Sequence, residues 1–173
     1  VPSIGLLERL QATYSLDPLA LEDVVNVGQR PKFTEFGNNL FVTLLLPNAA
    51  EPGQFEQLSV FTDHNYIVTF HDGTPPDLLD PIRTRLASEQ SRMRRNDASY
   101  LLYAMIDLAI DHLFPVIGDA GDLLSELEAE ILGHPTPKEL RRLHAIRNRL
   151  LDLYPRGLTP RPWLGAASLR PRA

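Results

Sequence analysis

Apolar and polar positions along this chain follow first a helical period, then β-rich runs, then a helical period again. Residues 4–13 predict a short helix with Ile4, Leu7 and Leu10 on one side. Asp17-Pro18 has the form of an N-cap followed by the first helical position, where proline gives up a donor that would be unsatisfied anyway. In the helix that follows, Leu21, Val24 and Val25 form the expected buried stripe, so Glu22 and Asp23 point elsewhere, towards solvent or a partner. Gly28 and Pro31 end it. β-rich runs follow. Residues 33–46 predict strand with a turn at Gly37-Asn38, and residues 55–62 and 66–70 predict two further β-rich runs. Asp63-His64-Asn65 between those runs predicts a hairpin.

Helical spacing returns at Asp80-Pro81, which opens a helix over residues 81–90 with Ile82 and Leu86 at i and i+4. The run Arg92-Met93-Arg94-Arg95 reads as a solvated loop. The longest helical region starts at Asp97 or Ser99 and reaches about Leu132, with Pro115 as a point of bending. It holds seven acidic residues and no Lys or Arg, and Gly133 closes it. Thr136-Pro137-Lys138-Glu139 then has the form of a capping box, and a basic helix follows to about Leu153. Two long helices joined by so short a turn are expected to lie antiparallel, acidic side chains against arginines. The last twenty residues carry four prolines and four arginines with no hydrophobic period, which predicts disorder. The divisions are therefore residues 1–98, a sheet domain; 99–153, a helical hairpin; and 154–173, a Pro/Arg-rich tail. Helices, then strands, then helices favour an α+β fold with a mixed or antiparallel sheet over regular βαβ alternation.

The composition narrows the function. A formal net charge of -5 argues against general nucleic-acid binding, which needs a basic face to neutralise phosphates. The chain has no cysteine, so disulfides and thiolate metal sites are excluded. The two most apolar stretches are residues 40–46, which stop at Pro47, and residues 100–114, which are interrupted by Asp107 and Asp111. Neither reads as a membrane span of roughly 20 apolar residues, and a soluble chain is expected. The 43% of hydrophobic residues is ordinary for a globular domain.

Asp107 and Asp111 are the most informative pair. Their i, i+4 spacing puts two carboxylates one turn apart on one helix face, where like charges repel by a few tenths of a kcal/mol. Leu101, Leu102, Met105, Ile106, Leu108 and Ile110 around them show that this helix packs. A hard divalent cation explains such a stripe, because Mg²⁺ takes one or two carboxylates and keeps several waters. A solvated face, or an ion pair with an arginine, explains it too. Glu22-Asp23 has the same two readings. His64, His71, His112, His134 and His144 show no ligand spacing, although His112 beside Asp111 could join a zinc site. A Gly-rich phosphate loop, a G-x-S-x-G elbow and a cysteine nucleophile are all missing from the sequence, which weakens the alternative of a Mg²⁺-dependent phosphoryl-transfer enzyme. A structural module whose acidic helix docks a basic partner is a third possibility.

The residues also resemble a family. The run from Leu16-Asp17-Pro18 through Leu21-Glu22-Asp23-Val24-Val25-Asn26 to Gln29-Arg30-Pro31-Lys32 resembles the helix-and-turn signature of CorA-type magnesium/cobalt transporters. Asp80-Pro81-Ile82-Arg83 and Tyr100-Leu101-Leu102-Tyr103-Ala104-Met105-Ile106-Asp107 resemble two later signatures, in order and at compatible spacing, and the acidic helix pair resembles the family's protruding helices. The resemblance implies an αβα cytosolic domain and a helical hairpin. It also implies a stalk helix, two membrane spans with a Gly-Met-Asn motif and a homopentamer at the cytoplasmic face of the inner membrane. The family's first strands, stalk and spans are expected to lie outside this chain. By the same resemblance Asp23 is the principal ligand of a regulatory Mg²⁺, or another divalent ion such as Co²⁺, held between subunits. Glu22, Asp107 and Asp111 form or support a second site. The usual partner of Asp23 is on the neighbour's stalk. The family continues in helix where this chain turns Pro/Arg-rich after Leu153, so the tail is suspected to be out of frame. A related zinc transporter would share the domain.

Overall fold

A computed structural model describes residues 2–48, 50–51, 54–71, 77–133 and 141–148. The elements run α1 (Ile4–Tyr14), α2 (Pro18–Val25), β1 (Lys32–Phe36), β2 (Asn39–Pro47), β3 (Phe55–Thr62), β4 (Ile67–His71), α3 (Asp80–Ala87), α4 (Arg92–Arg95) and α5 (Ala98–Gly133). The four strands form one antiparallel sheet in sequence order. Gly37 turns β1 into β2 at a φ of 61°, a conformation that a Cβ would strain. The β3–β4 hairpin is closed by Asp63 N–H on the Tyr66 carbonyl at 3.2 Å.

Most antiparallel sheets bury one face and wet the other. Here both central strands are buried on both faces, and this explains why β2 reads Leu-Phe-Val-Thr-Leu-Leu-Leu with little alternation. The even-numbered positions Val42, Leu44, Leu46, Leu58 and Val60 join Ile82, Met93, Leu102 and Met105 in one core. The odd-numbered Phe41 and Phe61, with ring centroids 4.6 Å apart, join Leu16, Ala20, Leu21 and Val24 in a second. The period of two thus sends alternate residues of the same strand to two different helical layers. The result is an αβα sandwich, with α1 and α2 on one face and α3 to α5 on the other.

The N-terminal helices depart from their predicted stripes. Only Leu7 of α1 is buried; Ile4 is 75% exposed and Leu10 half-buried. In α2 the buried set is Ala20, Leu21 and Val24, while Val25 is 41% exposed. The dock of α2 is centred on Phe41 and Phe61, so the small Ala20 takes the close approach expected of Val25. The chain reverses between α1 and α2 at Ser15, at φ 52°. That corner is tied to the sheet by Asn39 Nδ2, which donates to the Tyr14 and Ser15 carbonyls, and by Tyr66, whose ring stacks at 4.5 Å on Tyr14. Burial first, then the charge of Asp63 and the neighbouring Tyr14, push the Tyr66 hydroxyl above its ordinary pKa. The run from Arg92 to Arg95 is a short helix rather than a loop, because Met93 inserts into the core while its arginines stay outside.

At 36 residues, α5 is about 54 Å long by the rise of an α-helix. No strand of the sheet exceeds nine residues. The helix therefore packs on the sheet through Leu102, Met105 and Ala109 and overshoots it, running unbroken through Pro115. By length and composition only, this described helix, Ala98–Leu132, is apolar enough to cross a membrane, with mean hydropathy 1.5 over its best window. Asp107 and Asp111 do not prevent that, since two charges in the window still leave it apolar on average. Residues 141–148 return as helix against its far end, where Leu127 and Ile146 are buried and Arg142 pairs with Glu130 at 2.5 Å. The capping box at residues 136–139, the end of the basic helix and the tail over 154–173 lie outside the described residues.

Candidate functional site

The candidate residue with the most built surroundings is Asp23, in the last turn of α2. Asp17 caps this helix, its carboxylate accepting the Leu19 N–H at 2.8 Å, with Pro18 at the first position as the sequence predicts. The other end is held by Gln57 of β3. Its Oε1 accepts the Gly28 and Gln29 N–H groups at 3.0 and 2.9 Å, and its Nε2 donates to the Asp23 carbonyl at 2.9 Å and to Ser59 Oγ at 3.0 Å. Both lone pairs and both protons of one buried amide are thereby used. That amide fixes the backbone of Asp23 and the turn after it against the sheet. Gly28 sits in this turn at φ 91°.

The Asp23 carboxylate does not stand free. Lys32, at the start of β1, donates from Nζ to Asp23 Oδ2 at 2.6 Å, and the two side chains are 34% and 23% exposed. The same ammonium lies 6.0 Å from the centroid of the Phe41 ring. Glu22 points away from this pair. It is exposed on the rim of a shallow groove of about 340 Å³ between α1 and α2, beside Ile4, Leu7, Leu21, Val25 and Glu8.

Asp107 and Asp111 sit one turn apart on α5, both exposed, as their spacing requires. Neither has an ion-pair partner among the described residues. Asp111 carries a second oxygen of interest: Pro115 has no N–H, so the Asp111 carbonyl lacks its usual intrahelical donor. His112 turns back on its own helix, Nδ1 lying 2.8 Å from the Leu108 carbonyl, which places it in a helix contact rather than beside Asp111.

The four carboxylates do not meet within one chain. Glu22 and Asp23 belong to the helical layer over Phe41 and Phe61, and Asp107 and Asp111 to the layer over Val42 and Val60. Among the described residues no group of three or more His, Cys, Asp or Glu side chains is placed to hold a metal ion. A separate cluster that sequence spacing did not suggest lies at the end of β4. There His71 contacts Glu56 at 3.0 Å and Asp77 at 3.5 Å, and Asp77 pairs with Arg83. Burial raises the Asp77 carboxyl, but the Leu79 N–H, the Arg83 guanidinium and the charge of His71 outweigh it and hold the carboxyl below its ordinary pKa.

Compared with known proteins, residues 2–161 match the family described as CorA-like Mg²⁺ transporter protein. The chain belongs to that family. It is 32% identical over 152 residues to the cobalt/magnesium transport protein CorA of Thermotoga maritima, a match covering 86% of this chain and 43% of that protein. The chain thus spans less than half the length of that CorA relative. Two solved structures share the architecture. The ZntB cytoplasmic domain from Vibrio parahaemolyticus superposes with a TM-score of 0.71 at 14% identity, over 94% of this chain and 66% of that one. The soluble domain of CorA from Methanocaldococcus jannaschii gives 0.66 at 16% identity, over 90% and 62%. At those identities the likeness shows the fold alone, an αβα domain.

A hard divalent ion would find suitable donor chemistry here, since all four candidates offer oxygen ligands. Asp107 and Asp111 are open to an ion that keeps its waters. Asp23 is open only where Lys32 gives way.

Proposed function

We propose that this chain is the cytosolic, Mg²⁺-sensing regulatory part of a CorA-like transporter of Mg²⁺ or Co²⁺, working as one member of a homopentameric ring. Its membrane attachment in this proposal comes from segments beyond the residues at hand. The observation that supports it is the separation of the carboxylate pairs onto opposite layers of one domain. A ring is built from heterologous contacts, in which one face of a copy meets a different face of the next. Residues on opposite layers, far from one another within a copy, are the ones such a contact can bring close. Glu22 on one copy, and Asp107 and Asp111 on the opposite layer of the next, then supply carboxylates to one site between neighbours, while Asp23 meets a carboxylate of the neighbour's stalk at another.

The proposed mechanism is differential binding. Facing carboxylates without a cation repel, and a bound ion neutralises them and holds the neighbours together. The ion shifts the ring between states only by its different affinity for each. The test is a thermal melt of the chain with Mg²⁺, Co²⁺ and Zn²⁺ in parallel. Millimolar Mg²⁺ is expected to raise the melting temperature, and the triple variant Asp23→Ala, Asp107→Ala, Asp111→Ala to abolish the gain. An equal gain in the triple variant refutes the site. A response to Zn²⁺ alone turns the assignment towards a zinc transporter.

A further inference from the structure

We propose that Lys32 is a tethered competitor for the divalent cation at Asp23, and that it sets the Mg²⁺ concentration at which that position fills. This rests on Asp23 being an ion ligand, as proposed above.

The geometry carries the inference. Lys32 Nζ is 2.6 Å from Asp23 Oδ2, so the carboxylate oxygen nearest to it already has a cationic partner supplied by the same chain. A Mg²⁺ ion binds carboxylate oxygen at about 2.1 Å. An ammonium and a Mg²⁺ on the same oxygen would stand close enough to repel strongly, so one must leave. The leaving group is at hand. Lysine carries a point charge on a flexible four-carbon stem, and the partly exposed Lys32 can move into water without unpacking the core. Asp23 has far less reach, because Gln57 holds its backbone carbonyl and a single methylene carries its carboxylate. The short, backbone-anchored aspartate and the long, flexible lysine give the asymmetry a competitor needs.

The contact also joins two elements. Asp23 lies in the last turn of α2 and Lys32 begins the edge strand β1, and Gln57 grips the turn between them. Exchanging ammonium for Mg²⁺ therefore releases the start of β1 from α2 while leaving α2 in place. An unopposed carboxylate would fill at lower Mg²⁺; a paired one responds only where the ion is abundant.

The experiment follows the Mg²⁺ concentration at half-maximal thermal stabilisation in the wild-type chain, in Lys32→Met, in Lys32→Arg and in Asp23→Asn. Methionine keeps the stem over Phe41 and removes the charge. Half-filling in Lys32→Met is expected at roughly twofold to fivefold lower Mg²⁺, the range an ion pair at this exposure allows. Lys32→Arg keeps the charge and is expected to respond no more readily than wild type. In an Asp23→Asn background, Lys32→Met is expected to change nothing. If Lys32→Met titrates as wild type while Asp23→Asn loses the response, the competitor role is wrong and the ligand assignment stands. If Asp23→Asn titrates as wild type, the ligand assignment fails and the competitor role with it. Should Lys32→Met fold poorly, Lys32→Gln gives the same comparison.

Discussion

Gln57 offers the sharpest test of how the sheet holds the candidate ligand. Its amide makes four hydrogen bonds, to Gly28, Gln29, Asp23 and Ser59, at 2.9 to 3.0 Å, from a side chain 8% exposed. At roughly 0.5–1.5 kcal/mol net for each bond, Gln57→Ala removes a total of about 2–6 kcal/mol. Water entering the vacated space satisfies some of the stranded backbone groups, so about 3 kcal/mol is the expected loss. For a domain of this size that corresponds to a fall of about 6–12 °C in melting temperature, followed by circular dichroism. Gln57→Glu is the informative companion. Its carboxylate still accepts from Gly28 and Gln29 but cannot donate to the Asp23 carbonyl, and it brings a negative charge towards Asp23. It should therefore melt well below wild type, with Gly28 and Gln29 amide protons still protected from exchange and the Asp23 region loosened. A melting point within about 2 °C of wild type for Gln57→Ala would refute the claim that this amide anchors α2.

Other outcomes follow from neighbouring features. Thr43 Oγ1 is buried with no hydrogen-bond partner among the described residues, so Thr43→Val should be neutral or stabilise by up to about 1 kcal/mol in urea unfolding. Phe61→Ala should cost about 3–5 kcal/mol, because it opens a cavity against Phe41 in the core that seats α2. Asp77 has a folded pKa below its unfolded one, so its contribution is present at neutral pH and fades as pH falls through the folded value. Asp77→Asn should then lower stability by about 1 kcal/mol at pH 7, and the difference from wild type should shrink steadily in melts taken below about pH 4.

The strands were legible because β-branched and aromatic runs, turn residues and the Asp63-His64-Asn65 break all agree. The cap at Asp17-Pro18 was legible for the same reason: a local interaction is written in local sequence. Which side of α1 and α2 faces the sheet was not, since it is fixed by where Phe41 and Phe61 leave room. Ile4 and Val25 satisfy a helical stripe on paper, yet the dock selects Leu7 and Ala20 instead. The site shows the same division. The i, i+4 spacing of Asp107 and Asp111 does put them on one exposed face. Lys32 lies nine residues from Asp23 and Gln57 thirty-four, so neither contact has a sequence period. The one available signal was Gln57 itself, a polar residue in an apolar strand, which a buried strand tolerates only with partners. That the carboxylates occupy two layers follows from tertiary structure alone.

In the proposed mechanism ions act between copies of the chain rather than within one. The direct measurement is the Mg²⁺-induced rise in melting temperature at two protein concentrations, about 1 µM and about 100 µM, at fixed Mg²⁺. Sites built from neighbouring copies predict a larger rise in the concentrated sample, together with a larger sedimenting species. A rise of the same size at both concentrations, with the chain sedimenting as a single copy throughout, would contradict it.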